Sequence, residues 1–224
     1  MDVLPRHPRT RIPNGNYINA QMWYSTDADT GDVGHTRITQ HKSEAESIFL
    51  SCRETFTVRN IWGYTEGGYD AYATLSTRLK AEDTEIGIDF SQDALDVYKT
   101  MKSAFPEMNV LICFVEGNNF MKNGMPSDVI GHTHPLIVDG NEDNYIVLLS
   151  ESAEPSVLAH ELGHVLNYSN KNGRADDPDP YPGDPDHNAN RDNLMYKYQA
   201  SEGGTTITPV QCDHFFDSKI VLQN

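Results

Sequence analysis

The stretch AHELGHVLNYSNKNG, residues 159–173, constrains this chain more than any other. Within it His160, Glu161 and His164 have the spacing His-Glu-x-x-His. On an α-helix, residues four apart share a face and lie about 6 Å apart along the axis. Both imidazoles can therefore point at one divalent ion. Glu161, one step round the helix, can reach a water on that ion without ligating it. Val157, Leu162, Val165 and Leu166 supply an apolar face, and Pro155 suits a first turn, so a helix is expected over 155–168. Two imidazoles and a carboxylate are costly to bury without a partner such as a metal. The chemistry that follows is hydrolytic: zinc lowers the pKa of its water to about 7, and a neighbouring carboxylate moves the proton. A catalytic zinc takes three protein ligands and leaves one position open, so a third ligand must come from elsewhere in the chain.

The surrounding segments read as a mixed α+β order. SQDALDVYKTMKSAFP places Leu95, Tyr98, Met101 and Phe105 at helical spacing, with Ser91 as N-cap and Pro106 as the stop. NVLICFV (109–115) and NYIVLLS (144–150) are continuous apolar runs of buried strands. SDVIGHTHPLIV (127–138), limited by Pro135, suits an edge strand. Near the end, Thr208-x-x-Gln211 with Pro209 forms a capping box that opens a last helix. Residues 1–45 are polar and turn-rich, with few runs able to fill a core. Residues 47–80 read as short strands or loops.

Downstream of the histidines, RDNLMYKY (191–198) sets Met195 in a short apolar break between polar turns. Taken together, AHELGHVLN, DNLMY and TPVQCD resemble the metzincin clan of zinc endopeptidases over roughly residues 88–222. Members carry an extended His-Glu-x-x-His-x-x-Gly-x-x-His/Asp motif, a tight turn with a methionine beneath the metal, and a C-terminal helix. The resemblance implies an α+β catalytic domain over 86–224: a mixed twisted sheet with an edge strand over the active-site helix, a methionine turn and a closing helix. Residues 1–85 are then an N-terminal extension or a β-rich subdomain. It further implies a Zn²⁺ endopeptidase in which Glu161 activates water and Met195 is a hydrophobic floor rather than a ligand. A protein delivered outside the cell is also implied, although MDVLPRHPRT lacks the apolar core of a signal peptide.

Two departures stand out. Asn167 replaces the helix-ending glycine, a mild change because Asn tolerates the left-handed conformation. Alternatively the helix runs on toward Gly173, with NKNG as its cap. Asn170 replaces the third ligand, and a neutral amide is a poor one. The loop 171–194 offers Asp176, Asp177, Asp179, Asp184, Asp186, His187 and Asp192. His187 is preferred, since imidazole is the commoner zinc ligand and the residue precedes Met195 by eight positions. The sequence also resembles bacterial metzincin-like chains in which a loop of variable length leads to a histidine and then Asn-Leu-Met. Asp184 and Asp186 come next, and Asn170 last. The metal ligands expected are thus His160, His164 and His187, with Glu161 catalytic.

The family tyrosine two residues after the methionine has no counterpart, because Lys197 stands there between Tyr196 and Tyr198. His132 and His134 read as rim or surface residues, and His214 as surface. The acidic run 176–186 does not fit an EF-hand, although its carboxylate density permits weak Ca²⁺ binding. A formal charge of −16 argues against nucleic acid as a partner and leaves a protein or peptide substrate. No apolar run is long enough to span a membrane. Of three cysteines, Cys113 reads as core, and a Cys52–Cys212 bridge is open but unsupported by spacing. Two rivals remain: a zinc-binding module without turnover, favoured by the missing standard ligand, and a zinc hydrolase of a non-protein amide.

Overall fold

The computed structural model describes residues 10–24, 32–61, 79–87, 92–138, 140–198 and 203–224. Its elements, in chain order, begin with β1 (Asn16–Tyr24), α1 (Asp32–Phe49), β2 (Thr57–Asn60), α2 (Gln92–Ala104) and β3 (Val110–Phe114). The short hairpin β4 (Met121–Lys122) and β5 (Met125–Pro126) follows, then β6 (Gly131–Val138), β7 (Asn141–Leu149) and α3 (Pro155–Tyr168). A second hairpin, β8 (Pro180–Tyr181) and β9 (Asp184–Asn188), leads to α4 (Pro209–Phe216) and β10 (Leu222–Gln223).

The main sheet has six strands in the order β10–β1–β3–β7–β6, with β2 also paired to β1. The β2–β1, β1–β3 and β3–β7 pairings are parallel, while β6 and β10 are antiparallel. The mixed sheet and the edge position of β6 agree with the expectation. The mostly parallel interior was not legible in the sequence.

Both faces of the sheet are covered, which is what continuous apolar strands require. Alternation along each strand sorts the side chains. Val110, Ile112 and Phe114 of β3, with Tyr145, Val147 and Leu149 of β7, face one core that also holds Ile38 and Phe49 of α1 and Leu158, Leu162 and Val165 of α3. Leu111 and Cys113, with Ile146 and Leu148, face the other, where α2 lays down Ala94, Val97, Tyr98 and Met101. Cys113 is core, as read. Helix α2 ends at Ala104, two residues before Pro106. Its expected cap, Ser91, lies outside the described residues, as do residues 62–78 of the stretch read as strands or loops.

The sequence reading set residues 1–85 apart. In the structure β1 pairs with β3 from Ala20–Val110 to Tyr24–Phe114, and α1 packs against α3. β1 and β2 are thus strands of the same sheet as β6, and α1 covers one of its faces beside α3. Polar residues hid them: Asn19 and Gln21 interrupt the apolar run of β1 yet are buried, and Arg59 Nη1 donates to Asn19 Oδ1 at 2.9 Å. In α1, Ile38, His41, Ala45, Ile48 and Phe49 form one buried stripe among charged neighbours. A disulfide joins Cys52, just beyond α1, to Cys212 of α4. Among the described residues no helix is long and apolar enough to cross a membrane.

Candidate metal centre

Helix α3 is the floor of a cleft of about 730 Å³ whose upper wall is β6. The helix begins with Pro155 in its first turn and ends at Tyr168, with Ser169 as C-cap. Asn167 stays helical, so the chain neither breaks at the glycine-equivalent position nor continues to Gly173.

His160, Glu161 and His164 are all buried on α3. His160 Nδ1 donates to the carbonyl of Leu194 at 2.7 Å, which fixes the tautomer and leaves Nε2 bare. That Nε2 lies 3.1 Å from Nε2 of His164. Two donor atoms on a tetrahedral zinc at ordinary bond lengths stand roughly 3.3 Å apart, so the pair has a ligand spacing. The third imidazole is His187, at the end of β9. Its ring lies 5.5 Å from that of His160 and 5.0 Å from that of His164, and the three ligand atoms all fall within 4.8 Å of one another. Among the described residues this is the one His/Cys/Asp/Glu group able to hold a metal ion. The residues present fit such an ion: three nitrogens converge, two carry hydrogen-bonded Nδ1 atoms, and a cleft opens beside them.

Asp184, weighed above as an alternative ligand, has a different place. Its Oδ1 accepts from His187 Nδ1 at 2.8 Å, and its Oδ2 accepts from Lys197 at 2.8 Å. It therefore orients the third imidazole from behind. Asp186 lines the cleft outside the histidine group, and Asp176, Asp179 and Asp192 are exposed. Asn170, where the resemblance would place a ligand, is turned away. Its Nδ2 donates to the His214 carbonyl at 2.9 Å, and its Oδ1 accepts from the Asn172 amide at 2.9 Å. His214, expected at the surface, is half-buried against it.

Burial dominates the electrostatics. It pulls His160 down to about 4, opposed by the Leu194 bond and aided by His187. It also carries His164 well below the usual histidine range, with His160, His187 and His132 adding to the effect. Both rings are thus neutral near pH 7 and have no proton to surrender before ligating. Burial pushes Glu161 up to about 7, with the Thr133 hydroxyl bond pulling the other way. That hydroxyl, on β6, reaches the Glu161 carboxylate at 2.7 Å and its main-chain carbonyl at 2.9 Å.

Sequence reasoning missed three residues that let these parts meet. A Cβ on Gly131 would stand 2.7 Å from both Glu161 Oε1 and Val157 Cγ1, so only glycine lets β6 approach the helix here. A Cβ on Gly163 would stand 2.3 Å from Met195 Sδ. Met195, fully buried in the turn Asn193–Tyr196, therefore packs directly on the helix backbone under the histidines. Thr133 is the third. Gly163 sits inside the motif and could have been noticed as a small residue on the face next to His160; Gly131 and Thr133 carry no such signal. Of the neighbours, His132, Lys197 and Tyr198 line the cleft, His134 does not, and Tyr196 stacks edge-on against Tyr198 at 5.8 Å.

No protein-family model matches the sequence, and no curated protein matches it. Among solved structures the fold is similar to that of metalloproteinase-II from Bacteroides fragilis, with a TM-score of 0.54 at 13% identity. The match covers 96% of this chain and 56% of that one, so the chain spans little more than half the length of the protein it resembles. The likeness is one of fold: a metalloprotease-like arrangement of sheet and helices.

Proposed function

We propose that the protein is a zinc-dependent endopeptidase of metzincin type, with a third ligand displaced along a lengthened loop. The observation that carries this reading is the convergence of His160, His164 and His187 beside the buried carboxylate of Glu161, on the floor of a cleft walled by an edge strand. The fold likeness to a metalloproteinase supports it.

A zinc ion held by the three imidazoles would supply Lewis acidity, polarising a carbonyl and acidifying a water. The remaining work belongs to the chain. Glu161 is placed to take a proton from the attacking water and deliver it to the leaving amine. Thr133 holds the carboxylate in line by its hydroxyl. Asp184 and the Leu194 carbonyl hold two imidazoles in the orientation that presents Nε2. Met195 fills the space beneath, excluding water from the back of the site.

Substitution Glu161→Gln tests the reading. Against unfolded protein substrates, cleavage should be chelator-sensitive in the native chain and fall by about 10²–10⁴ in the variant, with zinc retained. Loss of zinc from the variant, or undiminished cleavage, contradicts the assigned role. Absence of cleavage in the native protein, with zinc bound, favours a binding module.

A further inference from the structure

His187 must arrive at one corner of a metal site from a loop that is long, acidic and interrupted by proline and glycine. Something has to hold it there. Outside the cleft lies a group of buried polar side chains that the proposed mechanism does not use: Asp177 at 2% exposure, Asn188 at 3%, Asn193 at 1% and Gln211 at 0%. Gln211 Nε2 donates to Asp177 Oδ2 at 2.6 Å and to Asn193 Oδ1 at 3.0 Å, while Asn193 Nδ2 donates back to Gln211 Oε1 at 2.8 Å. Gln211 is itself locked at the third position of the α4 capping box, its backbone amide donating to Thr208 Oγ1 at 3.2 Å.

From this centre the bonds run outward to both sides of His187. The Asp177 amide donates to the Pro185 carbonyl at 2.9 Å, and Asp177 Oδ1 accepts from the Asp179 amide at 2.8 Å. Asn188 Nδ2 donates to the Asp179 carbonyl at 2.8 Å, and the Asn188 amide donates to the Met195 carbonyl at 2.7 Å. Asn193 Oδ1 also accepts from the Met195 amide at 2.9 Å. Pro185 and Asn188, which bracket His187, are thus both tied to Asp177, the first through its main-chain amide and the second through its carboxylate, with Asn188 Nδ2 at 3.5 Å from Oδ1, and Asn188 is also tied to the methionine turn. A carboxylate in such surroundings is expensive unless its lone pairs are filled, and here two segments of chain fill them.

We propose that Asp177 and Gln211 are positioning residues for the metal: their clasp fixes the β9 strand so that His187 meets the helix histidines. The inference rests on the three histidines being a metal site. Its physical basis is preorganisation. Without the clasp, the loop's freedom would be lost at the moment of metal binding, and affinity would fall accordingly.

The test is a titration of the metal-free chain with Zn²⁺ against a chromophoric chelator, with Co²⁺ absorption as a second reading. Gln211→Ala and Asp177→Asn are compared with the native chain, and each is repeated in a His187→Ala background. Both should weaken Zn²⁺ binding by about tenfold, the low end of what loss of a ligand's direct partner costs, and should alter the Co²⁺ spectrum. In the His187→Ala background the same changes should have little further effect, because the residue through which they act is gone. An unchanged affinity, or an equal loss in both backgrounds, overturns the proposal. So does unfolding of both variants, which would make the clasp a support of the fold rather than of the ligand. Failure of the native chain to bind Zn²⁺ would instead overturn the metal-site reading itself.

Discussion

The carboxylate of Asp184 bridges His187 and Lys197, accepting from Nδ1 of the one and Nζ of the other at 2.8 Å each. A residue weighed as a ligand thus stands behind the His187 ring and sets its tautomer instead. Orienting carboxylates of this kind typically change metal affinity by about 10–100-fold. Asp184→Asn should therefore weaken Zn²⁺ binding by that order, whereas Asp186→Asn, at the cleft wall, should leave it within about twofold. Chelator competition decides this, and equal effects at the two positions would refute the distinction.

His187→Ala should remove stoichiometric Zn²⁺ at micromolar concentration together with any cleavage. Asn170→Ala should keep the metal but cost about 1–3 kcal/mol of stability, since it strands the bonds to His214 and Asn172 at a buried position. Because the Asn170 side chain points at the α4 carbonyl, Asn170→His should not rescue the His187→Ala variant. Metal content and denaturant unfolding of the three variants measure this; metal loss in Asn170→Ala would reverse the assignment.

Gly163→Ala places a methyl 2.3 Å from Met195 Sδ. Overpacking of this kind costs about 1–3 kcal/mol, and here the displaced group is the turn that carries the Leu194 carbonyl. The variant should melt earlier, and combined with Met195→Ala it should lose less than the sum of the two single losses, because the methyl then occupies space the methionine has left. Thermal unfolding of the single and double variants provides the check, with strict additivity as the contrary result.

Acid should unfold the metal-free protein in a window set partly by His41. Burial holds this ring, packed edge-on against Phe114 at 5.2 Å, down at about 3, and the nearby Arg37 adds to the effect. Unfolded, it titrates near 6.5. Between those values the unfolded chain binds the extra proton, so stability rises with pH, is complete above about 6.5 and drains away as pH falls toward 3. Replacing the ring by an apolar one, His41→Leu, should flatten the pH dependence of the unfolding midpoint over that window. A slope identical to that of the native chain would rule out His41 as a contributor.

Much of this protein was determined locally and could be read without a structure. The spacing of His160, Glu161 and His164 is a property of one helix, as are the stripe of α2 and the capping box of Thr208 and Gln211, and short-range geometry needs no tertiary partner. The apolar runs of β3 and β7 announced buried strands for the same reason. What tertiary structure decided were relations across long separations. The place of β1 beside β3 was hidden, because Asn19 and Gln21 look like surface residues, although Asn19 is satisfied by Arg59 and Gln21 donates to the Met22 carbonyl of its own strand. The Cys52–Cys212 bridge closes over a separation of 160 residues that spacing cannot foresee. Composition could rank His187 above the aspartates, but only the path of the loop puts its ring beside the helix, Asp184 behind it and Asn170 against α4. A helix repeats its geometry every turn, whereas a loop's end point depends on every bond that holds it, and here those bonds come from α4 and the methionine turn.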